Sequence, residues 1–509
     1  MSGLTARLAA TPVKHDLVAW LCFLLALEAA ACQQKGTFSP DAAAAGGGQS
    51  RSSPAQNGGS SGAAGGDTTA PTGGTYSSGG VSGVSTLGAP DASVSGGNGP
   101  GRAGGARDAA AAGAVGGASG AGGVVAGGST SDAGDTGSAD GGASLAPTSL
   151  AVRFADMVLS HWPDPAGIWT SKGFEYNHGI VLRGIEQVFR RTGDARYLAY
   201  IKKYVDENVN DSGVVNIATT HSFDIIQPAV LLPFLYQQTG LAKYQTAADN
   251  IRARYDTIPR NADKGFWHKD IYPNQMWLDS IYMGETFLAR YGAVFGTCGS
   301  FCGDTVVEQT LLIAQHTLDA PTSLYVHAWD DSPVGQKAAW ADPTTGRSPS
   351  IWGRAVGWYA MALVDTLADL PADQAGRSDM LAILTALAAG LKATQDPNTG
   401  LWYQVLDQGS QSDNWLESSA TGIFLYALKV AVNRGYLDSS YLSVAESGWK
   451  GLQTKVTTDA GTGLLTITGA VEGMGVEASY AGYVGHKTLS NSPHGLCAIL
   501  LAASEMEAR

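Results

Sequence analysis

The apolar and polar positions from residue 152 onward follow the pattern of a helical protein. Apolar residues recur at intervals of three and four, which places them on one face of an α-helix, and runs that alternate as in a β-strand are few. Some stretches, such as residues 196–209 (RYLAYIKKYVDENV), have one apolar and one charged face. Helices of this kind suit the outside of a domain, where one face meets solvent.

Six other stretches are apolar on most of their faces, and each begins directly after a polar or charged residue. Those residues are His178, Asp224, Asp279, Arg354, Glu417 with Ser418, and His494. Helices that are apolar all round belong inside a structure, so the alternation predicts six inner and six outer helices. The predicted fold is therefore all-α, an (α/α)6 double-ring barrel (a six-hairpin toroid). An irregular helical bundle is the alternative.

A double ring would gather six helix N-termini around one mouth, where free backbone N–H groups favour anions. An internal echo supports repeated helix hairpins, since Thr192-Gly193 and Thr239-Gly240 precede similar helices and are 47 residues apart. Two Gly-aromatic turns, residues 265–267 (GFW) and 400–402 (GLW), are predicted to lie on the mouth side and to carry short β-hairpins.

Composition divides the chain of 509 residues into unequal parts. Of its 67 glycines, 33 lie in residues 33–147, a stretch otherwise made mostly of Ala, Ser, Thr and Asp. Such a stretch has too little apolar bulk to offset the entropy lost on ordering. We therefore interpret residues 32–147 as a disordered linker rather than a hidden small domain, and residues 148–509 as one folded domain with a single large core.

Residues 1–31 have the pattern of a secretory signal. Arg7 and Lys14 precede the apolar run 17–27, which is too short to span a membrane and ends near three alanines. Cys32 follows directly and resembles a bacterial lipoprotein acylation site, with ordinary signal cleavage that leaves a free cysteine as the alternative. A lipid on Cys32 and a linker with a reach of about 60 Å would hold an exported, periplasmic or cell-surface domain off a membrane.

Net charge and cysteine spacing exclude several functions. The formal net charge of −13 argues against nucleic acid, which needs a dense basic surface, but it permits an acidic sugar in a cleft with local cations. Cys298 and Cys302 could form a disulfide, whereas a pair at this spacing with no nearby Cys or His is a poor zinc site. Cys497 is predicted to lie in the core. No metal, nucleotide or other cofactor is expected.

The densest candidate chemistry lies in residues 267–280. Asp279 stands near Trp277 at a predicted helix start, with His268 and Lys269 upstream. This combination is typical of a site for a sugar acid, because an aromatic ring stacks on the sugar, cations bind its carboxylate, and a partly desolvated carboxyl group transfers a proton. A helix N-cap is the structural alternative for Asp279, since Asp is favoured at that position.

A second group surrounds Arg354 in the segment WGRAVGW. Arginine at a helix start can hold a carboxylate through two parallel hydrogen bonds, and Trp352 and Trp358 are close enough in sequence to flank it. Two core tryptophans beside a surface arginine are the structural alternative. Three further residues fall at predicted loop-to-helix junctions and are expected at the same mouth: Tyr176, Asp224 and His327.

Three segments, MWLDSIYM, HAWD and WGRAVGWYAMALVDTL, resemble the hallmark segments of glycoside hydrolase family 105, the unsaturated rhamnogalacturonyl hydrolases. The resemblance covers essentially all of residues 148–509, and the related family 88 unsaturated glucuronyl hydrolases share the fold. It implies that Asp279 is the general acid/base and Asp224 a second acidic residue. The residues that it implies hold the substrate are Tyr176, His268, Lys269, His327, Trp352, Arg354 and Trp358.

The substrate implied by this resemblance is the unsaturated uronic acid that a polysaccharide lyase leaves at the non-reducing end of an oligosaccharide, most specifically unsaturated galacturonyl-rhamnose from rhamnogalacturonan. The reaction implied is acid-catalysed hydration of the double bond between carbons 4 and 5. Ordinary glycosidases differ, because their two carboxylates flank the scissile bond itself. Many family members resemble cytoplasmic enzymes, so the apparent export signal leaves the accepted oligosaccharide length open.

Two other functions are compatible with the sequence. An unsaturated β-glucuronyl hydrolase acting on ulvan or glycosaminoglycan fragments would keep Asp279 and Arg354 and differ in its contacts to the second sugar. A tethered glycan-binding lipoprotein without catalysis is the alternative from another class, but a binder has no need of a proton donor such as the Asp224 and Asp279 pair supplies. The sequence does not indicate an oligomeric state.

Overall fold

The computed structural model describes residues 144–509, and the predictions on the signal, most of the linker and Cys32 lie outside that part of the chain. No helix within the described range is long and apolar enough to cross a membrane. Its twelve principal helices are α1 Leu150–His161, α2 Tyr176–Thr192, α3 Ala195–Asn208, α4 Leu231–Thr239, α5 Ala242–Arg254, α6 Thr286–Phe295, α7 Phe301–Thr317, α8 Gly353–Asp369, α9 Arg377–Thr394, α10 Ser418–Asn433, α11 Tyr441–Gln453 and α12 Pro493–Met506.

The even-numbered helices form an inner ring and the odd-numbered helices an outer ring. Each inner helix, together with the turns that lead into it, packs against the next, and α12 packs against α2 to close the ring. The inner helix α8 is buried on all faces from Gly353 to Leu367, whereas the outer helix α3 buries mainly one face, which includes Tyr197, Ile201 and Tyr204. The predicted (α/α)6 double ring is confirmed.

Two inner helices are interrupted just before their regular part. A helical turn, Phe223–Ile226, and a 3-10 turn, Gln227–Val230, precede α4. Pro228 accounts for this break, because proline has no N–H to donate and crowds the carbonyl four residues earlier. The turn Leu278–Ser280 and a π-helical segment, Ile281–Glu285, precede α6. Such π-helical turns are rare and are frequent at functional sites.

The Thr-Gly echo in the sequence marks two equivalent passages from an inner to an outer helix. Gly193 ends α2 and Gly240 ends α4, each with a φ of 67°. Glycine adopts this left-handed conformation without strain and is therefore favoured directly after a helix. The outer helices α3 and α5 start two residues after these glycines.

Short strands connect the helices and pair two by two, always antiparallel. The pairs within residues 144–509 are β1 Gln275–Trp277 with β4 Ala328–Asp330, β2 Leu318–Asp319 with β3 Leu324–Tyr325, β5 Trp402–Tyr403 with β6 Leu416–Glu417, β7 Val456–Thr458 with β8 Leu465–Ile467, and β9 Ala470–Val471 with β10 Thr488–Leu489. The turn at residues 400–402 leads into β5 as predicted. The turn at 265–267 forms only an isolated bridge between Arg260 and Phe266.

A buried ion network crosses the inner ring, away from the helix N-termini. Glu186 of α2 is fully buried and accepts hydrogen bonds from Arg190 at 2.8 Å and from Arg290 of α6 at 3.2 Å. Arg183 lies 3.5 Å from Glu186 and 3.4 Å from Asp365 of α8. Burial alone would raise the pKa of Glu186, but the three arginines together lower it to about 2.

The same network extends to the other inner helices. The hydroxyl of Tyr426 in α10 donates to Asp365 at 2.7 Å, and Arg191 of α2 donates to Glu505 of α12 at 2.7 and 2.8 Å. Arg290 also donates to the carbonyl of Val230, directly before α4, at 3.2 Å. All six inner helices are therefore joined by charged or polar contacts in the interior.

Both ends of the described chain pack together. The main chains of Ser144 and Arg509 exchange hydrogen bonds at 3.0 and 3.2 Å, and the side chain of Leu145 is buried in the core. Among the described residues, Ser144 and Leu145 thus contact the folded domain, although they precede the domain boundary predicted at residue 148. Cys298 and Cys302 form a disulfide, as their spacing allowed, and Cys497 is buried in α12 as predicted.

Glu285, the last residue of the π-helical segment, is a buried acid without a cationic partner in hydrogen-bonding contact. One of its carboxyl oxygens has no hydrogen-bond partner, and burial raises the pKa of the group well above its usual value. The neutral form is therefore the one that the fold accommodates. The folded-state pKa of Glu285 is raised above the unfolded pKa of about 4.3. The contribution of this carboxyl group to stability is therefore complete below the unfolded pKa and is lost as the pH rises through the folded pKa.

We predict that Glu285→Gln raises the melting temperature relative to the unsubstituted protein at alkaline pH and changes it little at acidic pH. Glutamine keeps the shape of the neutral acid and never ionises. The measurement is the difference in melting temperature between variant and parent from about pH 5 to about pH 9. Glu446→Gln, at an exposed position on α11, is the control. A difference that does not grow with pH would contradict the prediction.

Candidate active site

The N-termini of the inner helices carry most of the residues that the sequence singled out. These residues lie in the first turn of the helical segments rather than ahead of them, which corrects the sequence-based boundaries. Tyr176, Asp224, Asp279, Arg354 and His494 each occupy the first or second position of a helical segment, and Glu417 is the N-cap of α10.

His178 is the exception among the six residues predicted to start inner helices. It is fully buried as the third residue of α2, its ring stacks on Tyr204 at 5.2 Å, and its Nε2 lies 3.3 Å from the carbonyl oxygen of Ala166. His178 therefore belongs to the packing between inner and outer helices.

Asp279 lies beside His327. The Nε2 of His327 is 3.2 Å from a carboxylate oxygen of Asp279, although the angle is not that of an aligned hydrogen bond. The Nδ1 of His327 lies 3.0 Å from the hydroxyl of Tyr483. His327 precedes β4 rather than a helix, and the β1–β4 pairing brings it to Asp279, with the Leu278 N–H donating to the His327 carbonyl at 3.1 Å.

Asp224 forms an ion pair with Lys269. One of its oxygens contacts the Lys269 ammonium, and the other lies 3.8 Å from Nε2 of His268. The Phe223 N–H donates to the carbonyl of His268 at 3.2 Å, which aligns the start of the inner segment that leads into α4 with residues 268–269. Burial alone would lower the pKa of Lys269, but the charge and hydrogen bond of Asp224, with smaller contributions from Tyr272 and Glu175, together raise it. Lys269 therefore stays a cation.

His268 is neutral, so the expectation of two cations in this segment is wrong for this residue. It is buried, its Nδ1 lies 2.9 Å from the hydroxyl of Ser280, and its ring stacks on Trp277 at 4.3 Å. Burial, and then the charge of Lys269, lower the pKa of His268 well below the ordinary value. An uncharged imidazole beside Asp224 acts as a hydrogen-bonding group rather than as a charge.

Arg354 is almost completely buried and already has main-chain partners. Its Nη1 donates to the carbonyl of Val471 at 2.7 Å, and its Nη2 donates to the carbonyl of Glu472 at 2.7 Å. The guanidinium also lies over the ring of Trp352 at 4.6 Å. Nε has no partner. The two Nη groups, which would form the predicted carboxylate clamp end-on, are both engaged by main-chain carbonyls. Binding of a substrate carboxylate by Arg354 stays a prediction.

The two tryptophans that were predicted to flank Arg354 are both in the core. Trp352 donates to Gln404 at 3.1 Å and packs on His327 at 4.6 Å, so it supports the histidine from behind. Trp358 lies one turn deeper in α8 and stacks on Tyr282 at 5.1 Å. The hydroxyl of Tyr176 is at the mouth, 3.3 Å from Nε2 of His494.

The sequence reasoning missed two contributors to the mouth, Tyr483 and residues 471–477, and gave Glu417 no role beyond its place before an inner helix. Tyr483 orients His327, Glu417 is buried beside Arg354, and residues 471–477 cross the opening. Glu417 carried a signal, since it stood before an inner helix. Tyr483 and the crossing segment carried none, because neither stands at the start of an inner helix. The contacts that tie them to His327 and Arg354 join residues more than a hundred positions apart.

A comparison with protein families places most of the chain in a known family. The model of the family described as Glycosyl Hydrolase Family 88 matches residues 151–509, which is most of the chain and nearly all of the described part. The chain belongs to this family.

Family 88 and family 105 relatives agree with that assignment. The chain is 34% identical to a solved family 105 glycoside hydrolase from C. acetobutylicum ATCC 824, with 71% of this chain and 99% of that chain covered and a TM-score of 0.65. It is 26% identical over 282 residues to the unsaturated rhamnogalacturonyl hydrolase YesR of Bacillus subtilis (strain 168), which covers 53% of this chain and 73% of YesR. The resemblance to family 105 noted in the sequence is thus confirmed.

A third relative, of much lower sequence identity, shares the fold. The unsaturated glucuronyl hydrolase of Bacillus sp. GL1 is 15% identical, covers 70% of this chain and 95% of that chain, and has a TM-score of 0.51. At this identity the likeness shows the fold alone. Membership of family 88 makes the protein a glycoside hydrolase, and the identity of its sugar is a separate question.

We predict that the His268 imidazole of this family 88 protein stays uncharged between about pH 5.5 and 8. A lowered histidine pKa means that the folded state disfavours the charged ring. The measurement is the pH dependence of the ring resonances by NMR, with His268→Gln to assign them. Lys269→Met removes the second cause of the shift and should move the titration upward. A His268 resonance that titrates within this range in the unsubstituted protein would contradict the prediction.

Proposed function

We propose that this protein removes the unsaturated uronic acid from the non-reducing end of lyase-generated oligosaccharides, by hydrating the double bond between carbons 4 and 5. The observation that carries the proposal is the placement of Asp279 at the mouth, partly covered and held against His327, with the ion pair of Asp224 and Lys269 at the start of the neighbouring inner segment. One acid at a proton-transfer position and one nearby cation are what an anionic enol ether requires.

The roles follow from the contacts of each side chain. In this proposal the Tyr483 hydroxyl donates its proton to Nδ1 of His327, which lies 3.0 Å away. The tautomer with hydrogen on Nε2 then presents an N–H toward Asp279 and orients its carboxyl group. Lys269 supplies positive charge for the substrate carboxylate, and His268 remains a neutral hydrogen-bonding group.

The reaction proceeds in balanced steps. Asp279 gives its proton to carbon 4, and the double-bond electrons form the new C–H bond, which leaves an oxocarbenium-like cation at carbon 5. Water adds to carbon 5 and returns one proton to Asp279. The resulting hemiketal opens and releases the aglycone. One carboxyl group therefore serves as acid and then as base, unlike the two carboxylates that flank the scissile bond in ordinary glycosidases.

Rhamnogalacturonan is the proposed source of the substrate, as unsaturated galacturonyl-rhamnose. The support is the similarity to YesR, whose name gives rhamnogalacturonyl as its substrate class, and to the family 105 structure. An unsaturated β-glucuronyl substrate from ulvan or a glycosaminoglycan would use the same acid and the same cation. The two differ in the sugar that follows the uronate.

The test is a panel of lyase digests, followed by the loss of ultraviolet absorbance of the unsaturated uronate. We expect the rhamnogalacturonan digest to be consumed and Asp279→Asn to abolish consumption with an unchanged melting temperature. Asparagine retains the shape of aspartate but cannot deliver the proton, and a lost general acid costs roughly 10²–10⁴-fold in rate. Asp211→Asn, at a fully exposed position, is the control.

Consumption of only the ulvan or glycosaminoglycan digest would replace the proposed sugar while keeping the chemistry. Near-normal turnover by Asp279→Asn would remove the proposed acid. Specific binding of an oligosaccharide without consumption of any digest would show a binding protein instead.

We further propose that the domain is exported and tethered to a membrane through Cys32 and the linker. The signal-like residues 1–31, the Gly-rich residues 33–143 and the Cys298–Cys302 disulfide support this proposal, because disulfides persist in oxidising compartments. The linker would set the distance between the domain and the membrane.

Deleting residues 33–143 should leave the melting temperature and the activity in solution unchanged. A segment of this composition has few large apolar side chains to pack on a core. Deletion of Ser144 and Leu145 in addition should lower the melting temperature, because Leu145 is buried and Ser144 pairs with Arg509. A clear drop in melting temperature with the shorter deletion, or protease resistance of residues 59–128, would show that the linker is ordered.

A further inference from the structure

Residues 471–477 (VEGMGVE) form a wall that crosses the mouth of the inner ring, and two buried charged side chains fasten its first residues. Glu417 accepts the Val471 N–H at 2.8 Å, and Arg354 donates to the carbonyls of Val471 and Glu472, each at 2.7 Å. The peptide units at the start of the wall are thus held from both sides. These fastening residues stand at the N-termini of α10 and α8, which are neighbours in the inner ring.

Both fastening residues are specialised for this contact. Glu417 is fully buried and accepts hydrogen bonds from Ser419 and from the Ala420 N–H as well as from Val471. Arg354 is 1% exposed, and burial lowers its pKa although the charge of Glu417 acts against that. Hydrogen bonds to buried charges are stronger and geometrically stricter than those between neutral groups. These contacts hold the main chain of Val471 and Glu472 in place at the start of the wall.

The wall then passes directly over side chains of the mouth. A methyl group built on Gly473 would lie 3.5 Å from the hydroxyl of Tyr176 and 3.8 Å from Cε1 of His494. A methyl group built on Gly475 would lie 3.8 Å from the edge of the Trp277 ring. Neither glycine has a left-handed backbone, so their lack of a side chain is not required by conformation. Each glycine therefore leaves unfilled a space about the size of one methyl group, bounded by these mouth side chains.

The outer part of the wall is fastened separately. His486 lies 3.3 Å from Glu472 and 2.9 Å from Glu477, so it joins the two ends of the wall. Between them, Nε2 of Gln404 donates to the sulfur of Met474 at 3.5 Å, and Oε1 of Gln404 accepts from Trp352. The wall is therefore tied to the residues that support His327.

We propose that this wall selects the sugar that follows the unsaturated uronate, and that Arg354 and Glu417 are positioning residues that act through it. The proposal rests on the proposed function, because it concerns the aglycone of the same reaction. The room left by the missing side chains at Gly473 and Gly475 limits the size of the sugar, and of any further sugars attached to it, that the site accepts. Arg354, whose sequence context predicted a substrate clamp, instead fixes the main chain that bounds the substrate.

The first experiment measures the positioning role without any substrate. Hydrogen exchange of the amides in residues 471–477 is compared in the unsubstituted full chain, Arg354→Lys and Arg354→Met. We expect faster exchange in Arg354→Met and partial restoration in Arg354→Lys, since lysine replaces one of the two hydrogen bonds. Unchanged exchange in a folded Arg354→Met protein overturns the positioning role. Should Arg354→Met fail to fold, Arg354→Lys alone decides by the same comparison.

The second experiment measures selectivity with two substrates that share the unsaturated uronate and differ only beyond it, the disaccharide and the tetrasaccharide of one lyase digest. We expect Gly473→Ala and Gly475→Ala to change the ratio of kcat/KM for the two substrates by roughly tenfold, as one added methyl group in a fitted pocket does. Gly485→Ala, a glycine on the same C-terminal segment with open space around it, should leave the ratio unchanged.

The outcomes separate the proposal from the proposed function. An equal fall of kcat/KM for both substrates in the glycine variants shows that the wall does not contact the aglycone and overturns the selectivity. An unsubstituted enzyme that consumes neither substrate, nor any digest of the panel, rejects the proposed function and the selectivity with it. The exchange measurement then still decides whether Arg354 positions the wall.

Discussion

The buried carboxylate of Glu186 is the point on which the arrangement of the inner ring depends. Helices that are apolar on every face pack against one another without a preferred register, because dispersion and burial are not directional. Glu186 contacts Arg183, Arg190 and Arg290, and through these arginines it reaches the fourth, sixth and eighth helices. A buried charge tolerates only an arrangement in which its partners are in place, so the network fixes how far each inner helix slides along the ring axis.

That register decides what meets at the mouth. The network lies along the inner helices and away from their first turns, where Asp224, Asp279, Arg354 and Glu417 stand. Three of these four are carboxylates at helix N-termini, which the free N–H groups and the helix dipole favour. The cations beside them are engaged, Lys269 by Asp224 and Arg354 by main-chain carbonyls. The site therefore combines an acid beside His327 with one partly exposed cation, Lys269.

Charged residues in this protein serve two different purposes that look alike in sequence. Lys269 lies near aromatic residues ahead of an inner segment and Arg354 at the start of one, and both were interpreted as holders of an anionic sugar. Lys269 keeps part of its surface open at the mouth, whereas Arg354 is buried and holds Val471 and Glu472. The difference lies in the partner, and the partner of Arg354 is more than a hundred residues away along the chain.

The sequence by itself determined the helix ring and most of the side chains at its mouth. The period of the apolar residues specifies helices locally, and the contrast between helices apolar all round and helices with one apolar face specifies inner and outer positions. Asp224, Asp279 and Arg354 were found because each begins an inner helix. Only the tertiary structure decided that His327 lies against Asp279, that His268 is neutral, and that residues 471–477 cross the mouth. The β1–β4 pairing, the burial of a ring and a long-range contact to main chain leave no local pattern, because each depends on which distant residues come together.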